Sequence, residues 1–376
     1  MQQINLLIAP NSFKECADAA EIADEIKKHF SREQFKLKSI PISDGGDGFL
    51  KICQSNYQLK IVTKEISSFY EEKIVQVPVG ISEDRKEIFL ESAEILGMKK
   101  IPQEKRNPAL LNSNNLGELL IKIENEFSPS AKIILGLGGT STNDLGLGLC
   151  VPFGLKLFNS FGTEVPVHPK HFAEVVKIIL PNRKLSFEID VVTDVEIPLF
   201  GENGTSKTFA KQKGASDNDI ENLEKGVKNI LSILKKEHGV DFSSKLFGAG
   251  GGLLLGLSLI SDLKVIFAKE FLLTNLQLEK EIGETDYIIT GEGSFDQQSM
   301  MNKGTGVLVK CAKKYHKKIF VICGKINDAA FFNDYENLKP ISLEKYFKTE
   351  ELSIKNYKSG IEKACGEITS SILSHP

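Results

Sequence analysis

A glycine-rich stretch that also carries hydroxyl and acidic side chains, residues 136–144, is the segment of this sequence best suited to bind an anion. It reads Gly-Leu-Gly-Gly-Thr-Ser-Thr-Asn-Asp and directly follows the apolar, β-branched run 133–135. Glycines let the backbone approach a ligand closely, and Ser, Thr, Asn and Asp cap a following helix. A strand, a glycine turn and a helix N-terminus together predict a phosphate site. An ordinary strand–helix turn with a good cap explains this single stretch equally well.

Four other apolar runs also end in loops with polar side chains. These loops contain Ser12 and Lys14, Asp44 and Asp47, Asp194, and Glu292 and Asp296. In open parallel sheets, ligands bind outside the carboxyl ends of the strands. Any one of these carboxylates could be a helix cap or a turn residue. Five such loops in one chain are hard to explain by capping, and together they indicate a binding site.

The residue types in these loops divide into two chemical roles. Glycine backbone and hydroxyl groups suit phosphate oxygens, and Lys14 and Lys213 could neutralise phosphate charge. Carboxylates repel phosphate, so they need another purpose, such as holding Mg²⁺ or accepting the proton of an attacking hydroxyl. The carboxylates concerned are Asp44, Asp194, Glu292 and Asp296. Phosphoryl transfer from a nucleotide to a hydroxylated acceptor uses all of these parts.

Several common enzyme classes are disfavoured because their motifs are missing. No G-x-G-x-x-G occurs, which argues against an NAD-linked oxidoreductase, and no G-x-x-x-x-G-K-[ST] occurs, which argues against a P-loop enzyme. G-x-S-x-G and H-E-x-x-H are missing too. The residues alone therefore indicate a phosphate-handling α/β enzyme and leave its substrate open.

The order of the predicted elements indicates two domains. Strands and helices alternate at both ends of the chain, which predicts a parallel sheet covered by helices. Strand-like runs at 59–65, 73–79 and 87–91 have no helices between them, which predicts antiparallel pairing and a different domain. We also expect helices at 113–126, 171–180 and 217–237, and a strand at 287–290 that ends before Gly291. The predicted fold is α/β, with a discontinuous Rossmann- or flavodoxin-like domain (1–66 plus 280–376) and a mixed α/β domain (67–279) inserted in it.

Composition narrows the location and the partners of the protein. The chain has 376 residues, of which 41% are hydrophobic and 26% charged, and a formal net charge of −3. Such a charge gives no basic surface for nucleic acid or an anionic membrane, and no apolar run reaches the length of a membrane span. Six cysteines without C-x-x-C spacing predict buried thiols in a reducing compartment. We therefore expect a cytoplasmic monomer or homodimer.

Seven short motifs, in order, resemble those of the type-I glycerate kinase family. They are A-P-N-S-F-K at 9–14, P-I-S-D-G-G-D-G at 41–48, G-G-T-S-T-N-D at 138–144, T-D-V-E-I-P-L-F-G at 193–201, Q-K-G-A at 212–215, G-A-G-G-G at 248–252 and G-E-G-S-F-D at 291–296. Each motif alone is weak, but seven in the family's order are specific. The chain departs from the family pattern at Asn11, Leu145 and Ile197.

The resemblance implies ATP- and Mg²⁺-dependent phosphorylation of D-glycerate, with 2-phosphoglycerate as the favoured product and an active site in the cleft between the two domains. The expected site residues all match family motifs. We expect Asp194, which ends a strand, to be the general base, and Lys14 to contact the transferred phosphoryl group or the substrate carboxylate. Asp44 and Glu292 are the expected magnesium ligands. The expected substrate and phosphate contacts are Ser12, Gly138, Gly139, Thr140, Ser141, Thr142, Asn143, Asp144, Lys213, Gly291, Gly293, Ser294 and Asp296. A kinase of another small hydroxy acid and a catalytically silent nucleotide- or metabolite-binding homologue remain alternatives.

Overall fold

The chain has a mixed α/β fold with parallel sheets, arranged in two compact units. The computed structural model describes residues 3–13, 16–43, 45–242, 247–300, 304–327, 332 and 335–374. Unit 1 consists of Met1–Asp44, Lys51–Tyr57 and Phe267–Pro376, and unit 2 consists of Gly45–Leu50 and Gln58–Ile266. The boundaries predicted near residues 66 and 280 lie inside a strand and a helix respectively, whereas these compact units divide near 44, 50, 57 and 266.

The elements of the described residues are numbered in chain order. The strands are β1 Ile4–Ile8, β2 Phe35–Ser39, β3 Lys60–Ser67, β4 Ile74–Ile81, β5 Glu87–Glu91, β6 Lys132–Gly136, β7 Lys156–Asn159, β8 Glu164–Val165, β9 Val175–Ile179, β10 Glu188–Thr193, β11 Leu263–Phe267, β12 Tyr287–Phe295, β13 Lys318–Ile326 and β14 Leu338–Ser342. The helices are α1 Ala19–Lys28, α2 Phe49–Tyr57, α3 Ser92–Leu96, α4 Asn114–Glu126, α5 Thr205–Phe209, α6 Asp217–His238, α7 Ala249–Ile260, α8 Ala268–Glu270, α9 Leu278–Glu284, α10 Gly304–Lys314, α11 Glu350–Lys355 and α12 Tyr357–Leu373. In the part of the chain that the structure describes, no helix is both long and apolar enough to span a membrane.

Unit 1 is built on a five-stranded sheet in the order β14-β13-β12-β1-β2. All four neighbouring pairs are parallel, which confirms the parallel sheet predicted from the strand–helix alternation. Renumbered by their order in the chain, the strands of this sheet lie in the order 2-1-3-4-5, which is that of flavodoxin-like sheets. In such sheets ligands bind at the topological switch point, outside the carboxyl ends of the first and third strands, which here are β1 and β12. Helix α1 begins with a capping box in which Asp18 and Glu21 satisfy each other's backbone N–H groups.

Unit 2 is built on a six-stranded sheet in the order β11-β10-β6-β5-β4-β3 and a three-stranded sheet in the order β8-β7-β9. Strands β10, β6 and β5 run parallel, while β5–β4 and β4–β3 are antiparallel. The predicted antiparallel pairing of the runs at 59–65 and 73–79 is thus confirmed. Helices α4 and α6 match the predictions at 113–126 and 217–237.

Three local predictions are wrong. Residues 171–180 are not a helix, because a 3₁₀ turn at Pro169–Glu174 leads into β9, where Val175, Val176, Ile178 and Ile179 favour an extended chain paired with β7. The glycine stretch after β6 leads into a 3₁₀ helix, Gly148–Phe153, and not into an α-helix. Its backbone turns left-handed at Leu145 (φ 58°) and Gly146 (φ 68°), which an α-helix does not allow. Strand β12 continues through Phe295 and does not end at Thr290.

Candidate functional site

Three neighbouring strands of unit 2 deliver the candidate residues to one edge of its sheet. Gly136, the last residue of β6, lies in register with Glu91 of β5 and with Val192 of β10. Because the three strands are parallel, the chain leaves all of them on the same side. The glycine loop 137–144 and Asp194 therefore follow neighbouring strand ends.

The glycines of this loop permit close packing against segment 45–50. A Cβ on Gly138 would lie 2.6 Å from the Cα of Gly46, and a Cβ on Gly136 would lie 2.5 Å from the ring of Phe49. A Cβ on Gly45 (φ 87°) would lie 2.8 Å from the carbonyl oxygen of Val192. Side chains at these positions would push segment 45–50 off the strand ends, so the glycines are needed for backbone contact within the protein.

Asp144 and Ser141 are used to hold the loop itself. Asp144 is fully buried, and its Oδ2 accepts hydrogen bonds from Ser113 N (2.8 Å), Ser113 Oγ (2.7 Å) and Gly148 N (3.0 Å). Burial raises the pKa of Asp144, and the bonds from Ser113 and the glycine N–H groups oppose that rise. Ser141 donates its Oγ hydrogen to Leu96 O at 2.8 Å. These two predicted ligand contacts therefore point into the interior of unit 2.

Lys213 is a buried cation aimed at the same loop. Its side chain is 3% exposed, and Nζ donates to Thr142 O at 2.7 Å and to Thr140 Oγ1 at 3.4 Å. Among the described residues, no carboxylate lies within ion-pair distance of Nζ. Burial lowers the pKa of Lys213 to about 8, and the negative charge of Asp144 partly offsets this effect. Lys213 is thus a desolvated ammonium group next to the glycine loop.

Three buried oxygens, two in the glycine loop and one at the start of α5, make no hydrogen bond within the described part of the protein. They are Thr142 Oγ1, Asn143 Oδ1 and Thr205 Oγ1. The Asn143 amide is held by a hydrogen bond from Nδ2 to Ser206 Oγ at 3.0 Å. Buried polar atoms are nearly always hydrogen-bonded, and exceptions of this kind often mark a place where a ligand or water binds.

The glycine run at the start of α7 supports the backbone of this region. Gly250, Gly251 and Gly252 all have left-handed φ values, 62°, 76° and 90°. A Cβ on Gly251 would overlap the carbonyl oxygen of Thr142. Leu145 N donates to Gly251 O at 3.1 Å, so the two glycine segments are joined by a backbone hydrogen bond.

Asp194 follows β10 directly and is exposed. The preceding residue, Thr193, is buried and accepts a hydrogen bond from Val195 N at 3.3 Å, which forms a tight turn around Asp194. The Asp194 side chain is therefore placed at a strand end and is exposed.

The remaining candidates lie in unit 1, at the ends of β1 and β12. Asn11 N donates to Gly291 O at 2.8 Å, and Ser12 N donates to Asn11 Oδ1 at 2.8 Å. Ser294 Oγ accepts a hydrogen bond from Asn327 at 3.0 Å, and Asp296 Oδ1 accepts one from Ser299 N at 2.9 Å.

The predicted loop 291–294 is part of strand β12. Gly291 and Glu292 lie in register with Ile322 and Cys323 of β13. Glu292 is half-buried, and its charge adds to the effect of burial in raising the pKa of the Cys323 thiol. Gly293 and Ser294 continue the strand, so pairing with β13 fixes the path of their backbone.

Lys14 and Asp44, two of the predicted site residues, lie outside the described residues. No group of three or more His, Cys, Asp or Glu side chains able to hold a metal ion occurs in the described ranges.

Reasoning from the sequence missed Glu91. Glu91 is 3% exposed, and its carboxylate accepts hydrogen bonds from segment 45–50. The sequence does contain a pattern that could have identified it, because Glu91 follows the apolar run 88–90 just as Asp194 and Glu292 follow apolar runs.

Parallel strand ends, a glycine-rich loop and a buried lysine are typical of α/β enzymes that handle phosphate. The chain belongs to the glycerate kinase family, whose model matches residues 6–373. It is a kinase.

The relatives cover nearly the whole chain. It is 34% identical over 332 residues to the glycerate 2-kinase of Escherichia coli K12, covering 86% of each chain. It is 30% identical over 370 residues to the glycerate kinase of Bacillus cereus, covering 94% of this chain and 95% of the relative. A crystal structure of a protein from Salmonella typhimurium LT2, for which glycerate kinase 2 is the proposed identity, superposes with a TM-score of 0.77 at 26% identity and 99% coverage of both chains.

Proposed function

We propose that this protein transfers the γ-phosphoryl group of ATP to D-glycerate in a Mg²⁺-dependent reaction and that the product is 2-phosphoglycerate. Membership of the glycerate kinase family supports the reaction and the acceptor. The name of the Escherichia coli relative, glycerate 2-kinase, favours phosphorylation at the 2-hydroxyl.

The observation that carries the proposal is the environment of Lys213. An ammonium group buried without a carboxylate partner is unfavourable, because it loses its hydration without gaining a counter-charge. A phosphate or carboxylate placed next to Nζ would supply that counter-charge. The desolvation of Lys213 in the ligand-free protein therefore favours the binding of an anion next to Nζ.

Neighbouring groups add hydrogen bonds to the same ligand. Thr140 Oγ1 already accepts a hydrogen bond from Lys213, and its own hydrogen, which has no acceptor among the described residues, can be donated to an anion. Thr142 Oγ1 has no partner within the described part of the protein. We assign the binding role to Lys213, Thr140, Thr142 and the backbone of Gly139. Gly138, which the sequence also predicted as a contact, is used within the protein, because its N–H donates to Ser92 Oγ at 3.0 Å and its carbonyl accepts from the same hydroxyl at 2.8 Å. Asp144 and Ser141 act indirectly, by fixing the loop.

Asp194 is the proposed general base. Its carboxylate would accept the proton of the glycerate hydroxyl as the oxygen attacks the γ-phosphorus and the bond to the bridging oxygen breaks. Lys14 is proposed to contact the transferred phosphoryl group. In unit 1, Ser12, Gly291, Gly293, Ser294 and Asp296 remain the proposed contacts for the rest of the substrates.

The donor types fit a magnesium ion that is bound mostly by phosphate oxygens and water. Mg²⁺ in phosphoryl-transfer enzymes takes only one or two protein carboxylates, and the described residues contain no larger cluster. Asp44 and Glu292 are the proposed ligands. When bound, the ion would neutralise charge on the phosphate oxygens.

One NMR experiment tests the reaction, the acceptor and the product together. ³¹P spectra of the protein with ATP, MgCl₂ and D-glycerate should show ADP and the phosphomonoester signal of 2-phosphoglycerate. A 3-phosphoglycerate signal would contradict the assigned hydroxyl, and turnover only with another hydroxy acid would contradict the assigned acceptor. Stabilisation by ATP without turnover of any acceptor would establish the silent homologue.

A further inference from the structure

Segment 45–50 has an unusual place in the chain. It belongs to unit 2, although the residues on both sides of it in sequence, up to 44 and from 51, belong to unit 1. A six-residue segment is too short to fold by itself, and it is anchored in part by the buried side chains of Phe49 and Leu50. It must be fixed by specific contacts with the rest of unit 2.

Glu91 makes two of those contacts with one carboxylate. Its Oε1 accepts a hydrogen bond from Gly48 N at 2.9 Å, and its Oε2 accepts one from Leu50 N at 2.9 Å. Both N–H groups lie at the start of α2, Phe49–Tyr57, where the first N–H groups have no partner within the helix. Glu91, at the end of β5, therefore caps the N-terminus of this helix, where a negative charge interacts favourably with the helix dipole.

The strand that carries Glu91 places it directly beside the candidate site. Glu91 is the last residue of β5, in register with Gly136, where β6 enters the glycine loop. Segment 45–50 packs on that loop through Gly46 and Gly138, whose backbones are too close for a Cβ. A shift of the segment would therefore be passed on to the glycine loop.

We propose that Glu91 is a positioning residue, which in its ionised form holds segment 45–50 on the glycine loop for phosphoryl transfer. An ionised carboxylate accepts at both oxygens, so it can hold Gly48 N and Leu50 N together. A protonated carboxyl group carries a hydrogen on one oxygen, and that oxygen is a poor acceptor facing an N–H group. Protonation of Glu91 therefore releases one of the two contacts.

The charges around Glu91 make this protonation occur in an accessible pH range. Burial raises its pKa to about 7, and the negative charges of Glu94 and Asp47 add to that rise. Each of these two neighbours has its own lysine partner: Glu94 pairs with Lys100, and Asp47 pairs with Lys99. The hold on segment 45–50 should therefore strengthen as the pH rises through about 7.

Hydrogen exchange on the full-length protein tests the hold without any substrate. In the wild type, protection of the Gly48 and Leu50 amides, corrected for intrinsic exchange, should increase as the pH rises through about 7. Glu91→Gln leaves one acceptor and turns an NH₂ group towards the second N–H, so protection of these amides should fall by about 10-fold or more. Glu91→Asp, which keeps the charge, is a second variant in case Glu91→Gln folds poorly. Glu87→Gln, on the same strand, is the control and should leave the protection unchanged.

Kinetics test the consequence for catalysis, and only this arm depends on the proposed function. The wild-type kcat should fall on the acid side with an apparent pKa of about 7. Glu91→Gln should have a kcat lowered by about 10- to 100-fold and should lack that acid limb. Wild-type protection at Gly48 and Leu50 in Glu91→Gln would overturn the proposal. An acid limb that persists in Glu91→Gln would also overturn it, as would an equal loss of protection throughout unit 2.

Discussion

Replacing Lys213 by methionine should separate stability from activity in this enzyme. Methionine keeps the length and apolar volume of the lysine stem but removes the charge. In the free protein, that charge is buried beside the glycine loop and has no carboxylate partner among the described residues. The substitution should therefore remove an unfavourable feature of the fold and, at the same time, the cation that we propose for phosphate binding.

The size of the stability effect follows from the pKa. Lys213 has a pKa of about 8, compared with 10.5 for an ordinary lysine. This difference corresponds to about 3 kcal/mol against folding at neutral pH, at about 1.4 kcal/mol per pKa unit. The lost hydrogen bond to Thr142 O opposes the gain by about 1–3 kcal/mol, because the carbonyl is left without that donor. At neutral pH, we expect Lys213→Met to be as stable as the wild type or up to about 2 kcal/mol more stable.

The dependence on pH gives a sharper test than the absolute stability. The folded-state pKa is depressed, so the unfolded state binds more protons between about pH 8 and 10.5, and stability rises with pH in that window. From about pH 7 to pH 9.5, the wild type should gain about 2 kcal/mol relative to Lys213→Met, which lacks the titrating group. The affinity of the wild type for an anionic substrate should fall above about pH 8, as the free lysine loses its proton.

Urea unfolding at the two pH values, followed in parallel with initial phosphorylation rates, measures both effects. Lys211→Met is the matched control, because Lys211 is exposed and only two residues away, and it should change neither quantity by much. For Lys213→Met we expect kcat/KM to fall by about 100-fold or more, in line with the loss of a preorganised charge partner. Near-normal turnover together with a stability difference that does not change with pH would refute the assigned role of Lys213.

Further substitutions test the other parts of the site. Asp194→Asn should lower kcat by about 10²–10⁴-fold in initial-rate assays, and an effect of only a few-fold would rule out general-base catalysis by this residue. Asp144→Asn should lower the midpoint of thermal unfolding, since a buried acceptor of several hydrogen bonds is altered; an unchanged midpoint would show that these bonds contribute little. In urea unfolding, Gly251→Ala should destabilise the protein by several kcal/mol, because the added Cβ would overlap the Thr142 carbonyl. Gly239 also has a left-handed backbone (φ 65°) but open space around it, so Gly239→Ala should cost only about 1–2 kcal/mol. Equal losses for the two glycine variants would show that backbone strain, and not the contact, decides the effect.

Periodicity and strand-end chemistry predicted much of the fold. The parallel sheet of unit 1, the antiparallel β3–β4 pair and helix α6 follow directly from local residue patterns. The sequence predicts a helix at 171–180 because apolar residues at 172, 175, 178 and 179 fit a helical spacing as well as a strand. Pairing with β7, a contact that no local pattern contains, decides in favour of the strand.

The predicted end of β12 at Thr290 is wrong for a related reason. Gly291, Gly293 and Ser294 are typical turn residues, and the sequence gives no sign that β13 continues alongside them. The structure pairs both strands up to Phe295 and Ile326, so the glycines lie in a sheet where another backbone approaches closely. Only the partner strand, far away in sequence, distinguishes the two cases.

The glycine loop shows most clearly what sequence motifs leave undecided. Thr140 to Asp144 are five polar residues in a row, all nearly or fully buried, and each is equally suited by type to hold a ligand. Their hydrogen bonds in the folded protein distinguish them. Asp144 accepts hydrogen bonds from Ser113 and Gly148, and Ser141 donates one to Leu96 O. Within the described part of the chain, the Thr142 hydroxyl has no hydrogen-bond partner and the neighbouring Lys213 ammonium group has no carboxylate partner. A ligand is favoured where hydrogen-bonding capacity is left over after folding, so we propose that an anion binds at Lys213 and Thr142 and not along the whole motif.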